Sequence, residues 1–291
     1  MDYVISNDCL NVVISSIGGE IMSVQGTDGT EYMWQGDGAY WKKRAPHLFP
    51  FCGRLTDGQC TMEGEVCKMD THGFFRWTEM ELADNTGDTL TLRMKTDDTT
   101  RPQYPREWAA ELRYTLDGST LKIDFSVKNN DTRTMYFGYG GHPGFHVPLK
   151  KGLRFEDYCL EFAEECQPLS IGMSDACFLQ GEDAPLPLAQ GRKLPLRHTL
   201  FDRDAIFLRN AARKITLRSE LDDHSVTVDF PEFPFVGIWH SPKSDAPFVC
   251  VEPWTSLPSR QDVVEALEEK SDMIRLTPGE VYRNCWSITY R

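Results

Sequence analysis

The sequence predicts an all-β protein: a large antiparallel β-sandwich with few short helices. Three observations carry that expectation. Apolar residues recur at every second position rather than at helical spacing. Turn-forming residues interrupt the chain about every ten residues. Only one stretch carries a helical stripe. Length alone would suggest about two domains, but sandwiches of this size often form one, so a single domain over residues 1–291 is expected.

The elements follow from local pattern. Leu90 and Leu92 come after the turn Asn85-Thr86-Gly87-Asp88. Leu112, Tyr114 and Leu116 alternate up to Asp117-Gly118. Leu121, Ile123, Phe125 and Val127 then alternate with Lys122, Asp124, Ser126 and Lys128. Asp-Gly between two alternating runs is a strong hairpin signal, and the alternation itself marks half-buried strands. A second hairpin is expected where Ile215 and Leu217, then Val226, Val228 and Phe230, flank Leu221-Asp222-Asp223-His224. Tyr282, Cys285, Trp286, Ile288 and Tyr290 form an aromatic-rich last strand. The one helix expected spans about Arg260 to Lys270, with Val263, Val264 and Leu267 on one stripe and Ser259 and Asp262 as a capping box. Ala184-Pro185-Leu186-Pro187 reads as a loop. About twenty strands or fewer account for the rest, with no internal repeat.

Charge and composition exclude several functions. Acidic residues outnumber Lys and Arg 44 to 31, a net charge of −13. Phosphate-backbone binding needs a basic surface, so nucleic acid is not expected as a partner. The same field mildly repels anionic substrates, although a local pocket can override it. No run of about 18 apolar residues occurs, so no membrane partner is expected. The first thirteen residues carry two Asp and no Lys or Arg, unlike a secretory signal, and a cytoplasmic location is the expectation. Nine cysteines include no Cys-x-x-Cys pair. They read as small buried hydrophobes, with no metal site among them.

Three segments depart from the strand pattern. Each combines Gly, Pro or Trp with a titratable or basic residue. The first is Pro46 to Gly58, with Thr71-His72-Gly73-Phe74-Phe75-Arg76 beyond it. The second is Gly140-Gly141-His142-Pro143-Gly144-Phe145. The third is Val251-Glu252-Pro253-Trp254. A His between Gly and Pro sits on a rigid, closely approachable turn, and its ordinary pKa lets it give or take a proton. Glu252 follows the apolar run Ala246 to Val251, where a carboxyl is either desolvated or held by hydrogen bonds. Trp254 could wall the pocket or stack on a sugar face. A convergent His and Glu suit proton transfer on a hydroxylated substrate. No Gly-x-Ser-x-Gly elbow, P-loop or Gly-x-Gly-x-x-Gly is present, which argues against acyl transfer and nucleotide binding.

These residues resemble the aldose 1-epimerases, galactose mutarotase-like proteins, and among them the shorter LacX-like subgroup. Ile14 to Trp34 resembles the family's opening hairpin and Trp41 to Leu55 its Arg-bearing segment. Gly140 to Phe145 and Glu252-Pro253-Trp254 resemble its two catalytic signatures. The resemblance implies a sandwich with the sugar in a groove on one sheet. It implies interconversion of α and β anomers of a free aldohexose, with no metal or organic cofactor. By resemblance Glu252 takes the proton of the anomeric hydroxyl and His142 protonates the ring oxygen. His72 and Arg54 bind the sugar. An Asp holding hydroxyls falls on Asp204, with Asp202 a competing match. After Trp254 the chain reads Thr-Ser-Leu-Pro-Ser-Arg, where relatives more often place a Gly and an acidic residue.

Two other readings stay open. One is a hexose-6-phosphate epimerase of the same fold, which needs a basic clamp; Arg76 and Arg106 are the candidates. The other is a carbohydrate-binding protein without turnover. The net charge favours a neutral sugar, handled by a monomer or homodimer. His146 and His240 are expected to be structural.

Overall fold

A computed structural model describes residues 1–291. It contains twenty-four strands, four 3-10 turns and no α-helix. Two sheets dominate, and the strand pairings within them are antiparallel. The nine-stranded sheet runs, edge to edge, through Lys193–Pro195, Cys159–Phe162, Lys214–Arg218, Ser225–Asp229, Val281–Tyr290, Thr120–Asn129, Trp108–Asp117, Thr89–Lys95 and Glu81–Asn85. The second sheet centres on Phe235–Trp239, Phe248–Trp254 and Gly140–Gly141.

Side-chain alternation decides what each sheet buries. In the hairpin closed at Asp117-Gly118, Leu121 faces Leu116, Ile123 faces Tyr114 and Phe125 faces Leu112. These pairs, with Trp286 and Ile288 of the neighbouring strand, form the inner face of the nine-stranded sheet. Val236, Ile238, Val249 and Val251 of the second sheet belong to the same cluster of 62 buried residues. Because side chains alternate along a strand, Phe248, Cys250, Glu252 and Trp254 must face the other way, and they meet separate, smaller clusters. All seven residues of Phe248–Trp254 are buried, so loops cover that outer face as well.

Several expectations are corrected. Arg260–Lys270 is not a helix. Asp262 adopts φ of +60°, and Glu265 folds back on Arg260, accepting from its backbone N–H at 2.8 Å and from its guanidinium at 2.9 and 3.0 Å. Thr61 takes the Glu265 carbonyl and Leu267 donates to Thr61. Backbone groups a helix would use are thus spent on the Gln59–Met62 strand. Strands exceed twenty because several have two residues, among them His47–Leu48, Gly140–Gly141 and Ala184–Pro185. Two residues are too few to show alternation, and Ala184–Pro185 pairs with Leu169–Ser170 where a loop was expected. Cys52, Cys60, Cys67 and Cys250 are buried, but Cys9 and Cys285 are exposed.

Candidate functional site

Strand register builds the centre of the site. Gly140 lies opposite Trp254 and Gly144 opposite Cys250. Carried through the interval, that register sets His142 opposite Glu252, on the outer face. On the other side Gly237 faces Glu252, and Phe207 faces Gly237. A β-carbon on Gly237 would stand 3.1 Å from the Phe207 ring and 3.3 Å from Glu252 Cβ. The glycine leaves the carboxyl room. His142 Nε2 and Glu252 Oε2 are 3.3 Å apart, and both side chains are buried.

Glycines let the strand of His142 pack this closely. Gly141 points inward, where an added β-carbon would meet the Trp286 ring at 2.5 Å. Gly140 points outward, where it would meet Trp254 at 2.9 Å. His142 N–H donates to Pro46 C=O at 3.0 Å. Two tryptophans then hold the imidazole. Trp41 stacks on it and Trp239 meets it edge-on, with ring centres 5.5 Å apart.

His72 arrives on a turn. It has φ of +68°, followed by Gly73 at +70°, and a β-carbon on Gly73 would lie 2.2 Å from the Phe49 carbonyl oxygen. Only glycine fits there. Gly53 N–H donates to His72 Nδ1 at 3.0 Å, and His72 N–H returns a bond to Gly53 C=O at 2.8 Å. Nδ1 is therefore the acceptor, and the neutral ring carries its proton on Nε2. The His72 ring stands 5.4 Å from Trp254 and 5.5 Å from His142.

Asp204 is fixed at φ of +81°. Its Oδ1 accepts from Trp239 Nε1 at 2.7 Å and from Ala205 N–H at 3.0 Å. Arg54 Nη2 lies 3.9 Å from Asp204 Oδ2, and Arg54 Nη1 donates to Ala176 C=O at 3.0 Å.

All six residues singled out from the sequence line one cavity of about 210 Å³: Arg54, His72, His142, Asp204, Glu252 and Trp254. A cavity of that size has room for a monosaccharide. Asp202 is exposed and outside the cavity, so the choice between the two aspartates falls to Asp204. Arg106 is remote from it, buried and paired with Glu63 at 2.7 Å and Glu65 at 3.1 Å. Arg76 does line the cavity. His240 Nδ1 donates to Ser241 C=O at 2.7 Å and its Nε2 lies 3.2 Å from His198 Nδ1, and His146 packs against Trp34. Trp41, Trp239 and Phe207 were not anticipated. A strand containing Gly-Ile-Trp beside Pro-Phe-Val was the available signal, and it looks like ordinary core.

Burial controls the protons. It pushes His142 down to about 3 from 6.5, with the Arg76 charge acting in the same direction. Burial also raises Glu252 well above 4.5, reinforced by the charge of Asp204. His72 is held well below 6.5 by burial, then by His142, Arg76 and Arg54. His142 Nδ1, Glu252 Oε1 and Trp254 Nε1 are buried polar atoms without protein partners, which a hydroxylated ligand can satisfy. His142, Glu252 and Cys250 bring one donor atom each within 4.8 Å of one another. Burial keeps the Cys250 thiol well above 9, so this set would have to shed a costly proton before holding a metal.

Comparison with known proteins decides the family. The aldose 1-epimerase family model matches residues 1–287. The chain belongs to the aldose 1-epimerase family. Protein LacX of Lactococcus lactis subsp. lactis is 32% identical over 297 residues, covering 99% of both chains. The solved structure of a galactose mutarotase related enzyme from Lactobacillus acidophilus is 34% identical, with a TM-score of 0.95 over 100% of this chain and 97% of that one. A galactose mutarotase-like protein from Lactobacillus casei, 29% identical, also reaches 0.95 with full coverage of both chains. In this member of the family, the two signature segments are neighbouring strands of one sheet.

Proposed function

We propose that the protein is a mutarotase, interconverting the α and β anomers of an aldohexose by ring opening and reclosure. The 3.3 Å contact between His142 Nε2 and Glu252 Oε2 carries this reading. A cyclic sugar holds its anomeric hydroxyl and its ring oxygen on one carbon. An acid and a base in contact can serve two such neighbouring oxygens together.

The pair keeps one mobile proton between its members. In the opening direction Glu252, as carboxylate, accepts the proton of the anomeric hydroxyl. His142, protonated at Nε2, gives its proton to the ring oxygen. The C1–ring-oxygen bond breaks as the C1 carbonyl forms. Glu252 then holds a proton and His142 is neutral, which is the state burial favours. Rotation about C1–C2 presents the other carbonyl face. Closure returns both protons, so the cycle needs no net acid or base. His72 Nε2–H faces the cavity as a neutral donor to the ring-oxygen side. Arg54 and Asp204 hold hydroxyls, and Trp254 offers an apolar wall.

The test is anomer exchange followed by polarimetry or by NMR saturation transfer. Wild type should accelerate relaxation of freshly dissolved aldohexose, and Glu252→Gln should lose ~10²–10⁴-fold in kcat. Tight sugar binding without acceleration would instead make the protein a carbohydrate-binding module.

A further inference from the structure

Cys250 is buried beside His142 and Glu252, and ring opening does not use it. Cys250 and Glu252 are alternate residues of one strand, so their side chains share its outer face. His142 reaches that face from the neighbouring strand, two residues before Gly144, which lies opposite Cys250. One donor atom each from His142, Cys250 and Glu252 lie within 4.8 Å of one another. No other His, Cys, Asp or Glu side chains in the chain bring three donor atoms so close. Glycines leave two of the three room to turn. A β-carbon on Gly144 would stand 3.3 Å from Cys250 Sγ, and one on Gly237 would stand 3.3 Å from Glu252 Cβ. His142 Nδ1 and Glu252 Oε1 are buried and have no protein partner, although buried polar atoms normally have one.

An imidazole, a thiol and a carboxyl on one sheet face are a ligand set for a first-row divalent metal. Tetrahedral bonds of about 2.0–2.3 Å place ligand atoms roughly 3.3–3.7 Å apart, so side-chain rotation alone can close the set. We propose that His142, Cys250 and Glu252 form a site for a thiophilic divalent cation of the Zn2+ type, whose binding blocks proton transfer. His142 and Glu252 line the cavity, so a fourth ligand, water or a sugar hydroxyl, can enter from there. Charge balance favours the complex at this depth. Burial holds the Cys250 thiol neutral as long as it must ionise alone, while His142 and Glu252 share one proton. The cation displaces both protons to solvent. A thiolate, a carboxylate and a neutral imidazole then surround a charge of +2. The net charge of the set is zero before and after, so the burial that opposes a lone charge does not oppose the exchange. Thiolate and imidazole also select against Mg2+ and Ca2+, which prefer oxygen ligands. In the loaded state Glu252 cannot accept a proton and the His142 lone pair is occupied. Binding is independent of the mutarotase reading; the block rests on it.

Isothermal titration calorimetry on the full chain, stripped with EDTA and dialysed, should show Zn2+ bound and Mg2+ not bound. Co2+ in place of Zn2+ should give a thiolate-to-metal charge-transfer band in the near ultraviolet. Cys250→Ser should remove that band and weaken Zn2+ binding by at least about 100-fold, since changes merely beside a metal ligand already cost ~10–100-fold. The wild-type Tm should rise with Zn2+, a readout that needs no variant. Zn2+ should abolish anomer exchange by wild type and EDTA should restore it, while exchange by Cys250→Ser should resist the same Zn2+. No calorimetric binding and no rise in Tm for wild type would overturn the proposal. So would a cobalt band or a Zn2+ affinity unaltered in Cys250→Ser, which would place the metal elsewhere. Metal bound at Cys250 with anomer exchange undiminished would overturn the block. Metal bound at Cys250 in a protein that exchanges no sugar even after EDTA would uphold the site and remove the mutarotase reading instead.

Discussion

Trp41 lies flat against His142, with ring centres 4.8 Å apart and planes inclined by 27°. The imidazole also meets Trp239 edge-on, and its backbone N–H is tied to Pro46. Few rotamers remain to it. Trp41→Ala frees one face of the ring, so the 3.3 Å alignment with Glu252 is no longer held. We expect kcat to fall ~10–100-fold, because displacement of a reacting group by about 1 Å costs on that scale. Trp41→Phe, which keeps a stacking face, should recover most of the loss. Steady-state polarimetry on the two variants checks this, and an unchanged kcat in Trp41→Ala would show that the stack does not position His142.

The pH profile should be flat where an ordinary histidine titrates. Burial pushes His142 down to about 3 and raises Glu252 well above 4.5. Between those limits the pair retains one mobile proton. Below the lower limit His142 and Glu252 are both protonated and the base is lost. Above the upper limit both have lost their protons and the acid is lost. We expect kcat/KM to show no acid limb at the ordinary histidine value. An acid limb near 6.5, the unperturbed value for histidine, would contradict the burial of the pair.

His224 should tie stability to pH away from the cavity. Its Nε2 meets Asp28 Oδ2 at 2.8 Å and its Nδ1 meets Asp222 Oδ1 at 2.7 Å. The bond to Asp28, and then that to Asp222, raise its pKa above 6.5 despite partial burial. The charged ring is thus favoured by folding. Its stabilisation is fully present below pH 6.5 and is lost as pH rises through the raised value. The difference in Tm between wild type and His224→Asn should be largest near pH 5.5 and should narrow above about pH 7. A difference constant across that range would mean the ring contributes only packing.

Gly141→Ala should destabilise the sandwich from within. The new methyl group would stand 2.5 Å from the Trp286 ring of the opposing sheet. Trp286 is buried and donates to Tyr139 OH at 3.2 Å, so it cannot simply withdraw. Overpacking of this kind costs about 1–3 kcal/mol. Denaturant unfolding with an unchanged slope and a lower midpoint is the expected readout.

Much of the architecture was legible locally. The hairpin expected around Asp117-Gly118 forms, with Thr120 opposite Asp117. The hairpin around Leu221–His224 forms too, with Arg218 opposite Ser225. Alternation and turn chemistry act over a few residues, so a single sequence displays them. The Arg260–Lys270 stripe misled for the complementary reason. Val263, Val264 and Leu267 have helical spacing, but Glu265 and Leu267 spend their backbone groups on Thr61, some two hundred residues earlier. Trp239 was illegible because its value lies in reaching Asp204 and His142 from another strand.

By itself the sequence determined the all-β class, the main hairpins and, through motif resemblance, the six residues around the cavity. Only the tertiary structure decided that Asp204 rather than Asp202 enters it, that Arg76 lines it while Arg106 does not, and that His142 stands opposite Glu252. The physical reason is range. Strand periodicity follows from each residue's own backbone and its near neighbours. A shared proton and a depressed imidazole depend on strand register and burial, which bring together residues more than a hundred positions apart.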